Sequence, residues 1–229
     1  AKRFGGVAVN RSIKTGNRCA AMPDTLEHGL TRYFTPEQLA KIRNAKVFIA
    51  GCGGLGSNIA HMLVRCGFRH LTLLDCDRID ASNLNRQFFF PDQVGQNKAE
   101  ALAETLLRLN PALCLRTLVQ RVENAAEVPA LTQHDDILVE AFDGPQSKAA
   151  FVSGAVQTGK PVVCATGIAG YGNTDAIVTR LMGANLYVVG DGQTGIDQCP
   201  PLAPRVMVAA AKQADLVLQL VLEGAPLDV

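Results

Sequence analysis

Apolar residues along the chain follow two alternating rhythms. Short apolar runs at 47–50, 71–74, 137–142 and 161–165, crossed by Thr72 and Glu140, read as strands buried on both faces, and 113–122 as a further strand. Between them apolar residues recur at helical spacing. Ala99, Leu102, Ala103, Leu106 and Leu107 mark a helix over 98–109, which Asn110 and Pro111 stop. The same rhythm predicts helices after residue 53 to about 66, over 125–131, over 148–158, and over 205–222 with Gly224 as its stop. Thr35 before Pro36 and Glu37 is a capping residue followed by a proline suited to the first helical position, so a short helix runs to about residue 44. Strands alternating with helices predict an α/β fold, a doubly wound Rossmann-like sheet that is mostly parallel. The runs 177–179 and 186–189, set among glycines, suit antiparallel strands that extend it. Residues 1–30 carry five basic residues and no sustained period, which predicts a mobile N-terminal arm before a single domain over 31–229.

The first strand, helix and second strand enclose the most informative stretch. Gly51, Gly53, Gly54 and Gly56 follow the strand, the helix starts among them, and Asp75 ends the next strand. Glycines there allow a tight turn and close approach of the backbone to a phosphate, and the helix N-terminus turns free N–H groups toward the anion. A carboxylate about 20 residues on is placed for a ribose hydroxyl. This pattern predicts a nucleotide site and leaves open whether the nucleotide transfers hydride or is used for its phosphates.

Composition narrows the remaining classes. A formal charge of +1 over 229 residues gives no electrostatic case for nucleic acid or an anionic membrane. The seven cysteines contain no Cys-x-x-Cys pair, which supports neither a disulfide framework nor a four-thiolate zinc site and points to the reduced cytoplasm. Nothing has the form of a signal peptide or of an uninterrupted apolar membrane span.

Candidate chemistry gathers where such a sheet collects ligands, beyond the C-terminal ends of its strands. Arg86 and Lys98 are cations able to neutralise a triphosphate, and Asp143, ending a buried run, is able to hold Mg²⁺. Each also has a plain reading, as surface arginine, first-turn lysine or turn aspartate. Residues 154–160 match the start of a phosphate-binding P-loop, but Pro161 stands where the Mg²⁺-binding hydroxyl belongs, so Gly159 and Lys160 read as a helix stop.

Three segments carry a resemblance. With Asp75-Cys76-Asp77, Ser82-Asn83-Leu84-Asn85-Arg86-Gln87 and Gly95-Gln96-Asn97-Lys98, the chain resembles the ThiF, MoeB and HesA adenylating enzymes, relatives of ubiquitin-activating enzyme, from about residue 32 to 222. Segments 140–143, 167–172 and 203–206 are most similar to the short, zinc-free ThiF branch linked to thiamine biosynthesis. The resemblance implies ATP-dependent adenylation of the C-terminal glycine of a ubiquitin-like sulfur carrier ending in Gly-Gly, a sulfur donor protein and a homodimer. By position it implies that Gly51, Gly53, Gly54 and Gly56 form the nucleotide loop, that Asp75 holds the ribose, and that Asp77 belongs to the same nucleotide-binding set. Asn83, Arg86 and Lys98 then hold phosphates, Gln87 supports them, Asp143 holds Mg²⁺, and Arg86, Lys98 and Asp143 are the catalytic set. Three departures remain. Thr35 stands where many relatives carry an arginine that reaches the partner's site, and the paired zinc cysteines are missing, so no zinc is expected. Cys199 lies in the loop where some relatives carry a carrier-capturing cysteine, and reads either as that thiol or as a loop thiol without a role. Rival readings are an enzyme acting on a tRNA base, an NAD-dependent oxidoreductase and a non-catalytic nucleotide-binding scaffold.

Overall fold

The structure, a computed structural model, describes residues 9–13 and 25–225. Strands β1 (Val9–Ile13), β2 (Lys46–Ala50), β3 (His70–Leu74), β4 (Cys114–Val119), β5 (Ile137–Glu140), β6 (Val162–Ala165), β7 (Val178–Leu181) and β8 (Leu186–Gly190) form one sheet in the order β1-β4-β3-β2-β5-β6-β8-β7. The five central strands, β4 to β6 in that order, are parallel. Helices α1 (Thr25–Leu30), α2 (Pro36–Asn44), α3 (Gly54–Arg65), α4 (Lys98–Leu109), α5 (Val128–Leu131), α6 (Pro145–Gln157) and α7 (Ala203–Glu223) complete the described elements.

The period of two along β2 sorts its side chains between two cores. Val47 and Ile49 pack with Ile59 and Leu63 of α3, Leu102 and Leu106 of α4, and Val217 of α7. Phe48 and Ala50 turn to the other face, toward Val128 of α5 and Phe151 and Ala155 of α6, and the rings of Phe48 and Phe151 stack with centroids 5.8 Å apart. A strand covered on both faces has no polar side to show, which is why β2 reads as an unbroken apolar run over 47–50.

Two expectations are corrected. Residues 9–13, placed in a mobile arm, form β1 antiparallel to β4, and 25–30 form α1; residues 1–8 and 14–24 of that arm lie outside the described residues. Short strands flanked by unpatterned polar sequence escape a periodicity reading. The 178–190 pair is also only half antiparallel: β7 opposes β8, but β8 runs parallel to β6. The chain leaves β6, descends at the sheet edge as β7, and returns as β8 between the two. A hairpin inserted this way carries the same local pattern as one appended to the edge.

Helix α2 starts where the sequence indicates. Thr35 accepts from the Gln38 N–H at 3.2 Å while Gln38 Oε1 accepts from the Thr35 N–H at 2.9 Å, closing a capping box. Among the described residues no helix is long and apolar enough to cross a membrane.

Candidate nucleotide site

The glycines do separate work. Gly51 has φ +99°, and a Cβ there would stand 2.6 Å from the Ala141 carbonyl oxygen, so the turn leaving β2 lies directly on the segment after β5. A Cβ on Gly56 would meet the Gly51 carbonyl oxygen at 1.8 Å, so the first turn of α3 rests on the turn that feeds it. Gly53 caps α3 without a side-chain hydrogen bond, which leaves its opening N–H groups without a side-chain acceptor.

Asp75, 7% exposed, ends β3 beside this turn. Its Oδ2 accepts from the Cys52 N–H at 2.7 Å and its Oδ1 from the Asp77 N–H at 2.8 Å. A carboxylate has about four acceptor positions, so two remain for hydroxyl groups. Burial pushes Asp75 above the usual carboxylate range, against those two hydrogen bonds and the charge of Lys98.

Lys98 reaches the same place through backbone. Asn97 caps α4 by accepting from the Ala99 and Glu100 N–H groups, and its Nδ2 donates to the Asp77 carbonyl at 3.2 Å. The Lys98 N–H also donates to that carbonyl, at 2.9 Å. Lys98 is thereby held, 6% exposed, with Nζ 3.2 Å from Asp77 Oδ2. Burial works to raise Asp77, but the charge and hydrogen bond of Lys98, with the Cys76 thiol and Arg121, hold it below its ordinary value. Asp75, Cys76 and Asp77 lie close enough to suggest a metal site, but backbone N–H groups and the Lys98 ammonium already meet the carboxylates, and a thiol suits Mg²⁺ poorly.

The segment between Asp77 and Lys98 folds through two 3-10 turns and brings Arg86 over the start of α3. A Cβ at Gly54 would lie 3.5 Å from Arg86 Cγ and 3.1 Å from Val206 Cγ1 of α7. Asn58 of α3 donates to the carbonyls of Gly54, at 2.7 Å, and Arg86, at 2.9 Å. Gln87 is buried, with Oε1 unpartnered and Nε2 3.5 Å from the Cβ position of Gly53. Asn83 is half engaged elsewhere: its Oδ1 accepts from the Asp80 N–H at 3.1 Å, so only its amide nitrogen is left for a phosphate.

Asp143 is exposed, three residues beyond Glu140, which pairs with Ala50 across the β2–β5 ladder. Arg86 thus borders the glycine turn at Gly54 and the 141–142 backbone that leads to Asp143 borders it at Gly51, while Lys98 is tied through Asp77 to the segment after Asp75, all beyond the C-terminal ends of central strands. Cys199 packs at Gly170, its Sγ 3.6 Å from the Cβ position of that glycine. Gly154 instead packs α6 on residues 125–128 and Lys160 donates to the carbonyls of Thr132 and Asp135, both at 2.6 Å, so the P-loop-like stretch is structural.

Two buried ion pairs escaped the sequence reading. Glu140, with no exposed surface, binds Lys148, which also donates to the Ala165 carbonyl at 3.0 Å. Burial pushes Glu140 up, against the pull of Lys148 and of the Phe142 N–H. Arg205, 3% exposed, binds Asp191 at 2.6 Å and the carbonyls of Gly172 and Asn173. Burial works to raise Asp191, but the Thr194 hydroxyl, the N–H groups of Thr194 and Gln193, and the Arg205 charge outweigh it and bring it to about 2. The available signal was an acid inside an apolar strand and a cation in the first turn of an apolar helix.

The sequence model of the ThiF family matches residues 27–228. The chain belongs to the ThiF family. Among ThiF-related proteins it is 37% identical over 134 residues to ubiquitin-like modifier-activating enzyme 5 of Aedes aegypti, covering 58% of this chain and 30% of that protein. To the enzyme of the same name from Drosophila grimshawi it is 49% identical over 77 residues, covering 34% of this chain and 19% of that one. The chain thus spans under a third of the length of these relatives. Escherichia coli tRNA N6-threonylcarbamoyladenosine dehydratase TcdA, solved with ATP, superposes with a TM-score of 0.72 at 21% identity, covering 86% of this chain and 91% of that chain. At that identity the likeness is one of fold. Escherichia coli MccB, solved with AMPCPP and MccA, gives a TM-score of 0.65 at 28% identity over 84% of this chain and 60% of that chain.

Proposed function

We propose that this ThiF-family chain adenylates the C-terminal carboxylate of a small ubiquitin-like protein with ATP. The observation that supports the reading is Arg86 lying against Gly54 at the uncapped start of α3, with Lys98 held on Asp77 and the backbone leading to Asp143 lying against Gly51. In the proposed step a carboxylate oxygen bonds to the α-phosphorus, the bond from that phosphorus to the bridging oxygen breaks, and pyrophosphate leaves. A carboxylate attacks a polyanion poorly, so the site contributes positioning and charge. The opening N–H groups of α3 hold phosphate oxygens, the free acceptor positions of Asp75 take ribose hydroxyls, and Arg86 and Lys98 face the charge that moves onto the leaving group. Asn83 contributes its amide nitrogen. The Asp143 carboxylate is an oxygen donor of the kind Mg²⁺ takes together with phosphates. Bound there, Mg²⁺ would neutralise phosphate charge.

The specific substrate we propose is a sulfur carrier ending in Gly-Gly for thiamine thiazole synthesis, supported by segments 140–143, 167–172 and 203–206, with a sulfur donor protein acting next. A homodimer and a cytoplasmic setting belong to the same reading. The names of the curated relatives support a ubiquitin-like partner. The fold shared with TcdA favours a second reading, action on a tRNA base.

ATP–pyrophosphate exchange measured with Gly-Gly-ending carriers and with tRNA separates the two. Exchange that requires a carrier supports the proposal, and exchange that requires tRNA replaces it with the second reading. ATP binding with no exchange under either condition would leave a nucleotide-binding scaffold, and a preference for NAD over ATP an oxidoreductase.

A further inference from the structure

A carboxylate as deeply buried as Glu140 needs a reason other than stability. A buried ion pair is commonly no more stabilising than an apolar pair of the same shape, because desolvation offsets the attraction. What this pair does have is a position. Glu140 ends the strand beside β2, Lys148 lies in the first turns of α6, and Asp143 stands on the short segment between them. One oxygen of Glu140 accepts the Phe142 N–H at 2.7 Å, and the other binds Lys148. Lys148 in turn donates to the Ala165 carbonyl at the end of β6, so the carboxylate fastens the ends of two strands and the start of a helix.

The backbone on either side is held differently. The Ala141 N–H donates to the Ala50 carbonyl at 2.8 Å, so the floor beneath Gly51 is fixed by the sheet ladder. From Phe142 onward the ladder has ended, and the Phe142 N–H relies on Glu140. We infer that the Glu140–Lys148 pair is a positioning device that sets the approach of Asp143 to the metal ion accompanying the nucleotide. This rests on the reading of Asp143 as the metal-facing carboxylate. Loss of the pair loosens the chain beyond Phe142 and leaves the glycine turn in place, so metal binding and nucleotide binding respond separately.

The test uses Mn²⁺ as a paramagnetic probe with saturating AMPCPP, alongside AMPCPP affinity measured in EDTA. Glu140→Gln and Lys148→Met are each expected to weaken Mn²⁺ binding about tenfold, while metal-free AMPCPP affinity stays within about twofold. The double variant, which buries no charge and so remains foldable, is expected to match the single variants because both remove one device. Merely structural roles would lower the melting temperature and leave Mn²⁺ affinity at the wild-type level, and that result in the double variant overturns the inference. Asp143→Ala is the control. If it weakens Mn²⁺ binding and the pair variants do not, the positioning role alone falls; if it binds Mn²⁺ as wild type does, the metal assignment falls and takes this inference with it.

Discussion

The two halves of the sheet hold their site residues by different means. From β2 to α4, position comes from backbone: glycines that admit close approach, N–H groups on Asp75, and a cap that delivers Lys98. From β5 to α7 it comes from buried charge, Glu140 with Lys148 and Asp191 with Arg205. The difference teaches where each half is fragile. A backbone-built turn fails when a methyl group is added, whereas a charge-built clamp fails when a proton or a partner is changed.

The largest expected effect is therefore in the first half. Gly56→Ala places a Cβ 1.8 Å from the Gly51 carbonyl oxygen and should cost about 3 kcal/mol or more, read by urea denaturation, together with ATP binding. A variant of near wild-type stability would show that the turn yields to an added methyl group. Next, Arg86→Ala should slow carrier-dependent exchange about a hundredfold while ATP affinity changes by no more than about threefold, since its charge matters most as the phosphate reorganises. An equal loss in both would make it a simple binding residue.

In the second half, pH is the sharper tool. Asp191 is held down to about 2 in the folded chain, below its ordinary value of 3.8. A group depressed on folding stabilises above its ordinary value and loses that contribution as pH falls toward the folded value. The stability difference between wild type and Asp191→Asn should therefore be full above pH about 5 and shrink between about 4 and 2. A difference independent of pH would assign the clamp to packing alone. The smallest effect lies outside both halves, where Thr35→Ala should cost about 1 kcal/mol by opening the capping box of α2. That box also explains why a threonine fits at this position.

Much of the first half was legible because its determinants are local. A glycine turn, a capping threonine at 35 and an acid at a strand end are each written within a few residues of the place where they act. The Glu140–Lys148 and Asp191–Arg205 pairs were not legible, since an acid in an apolar run reveals that it has a partner without revealing which one. Position β8 was missed for a related reason: local pattern reports a hairpin, while insertion of that hairpin beside β6 depends on a strand more than 20 residues away. Asn83 shows the opposite failure, a motif residue whose amide oxygen is engaged in its own turn.

Val206 of α7 lies over Gly54, and the same helix covers the buried face of α3. A segment translated some 150 residues after the glycine turn thus covers the helix that the turn opens. Until α7 emerges from the ribosome, Ile59 and Leu63 have no lid, and the nascent chain is expected to bind no nucleotide. A ribosome-stalled chain ending at residue 202 that retains an ATP analogue would show that the glycine turn matures alone.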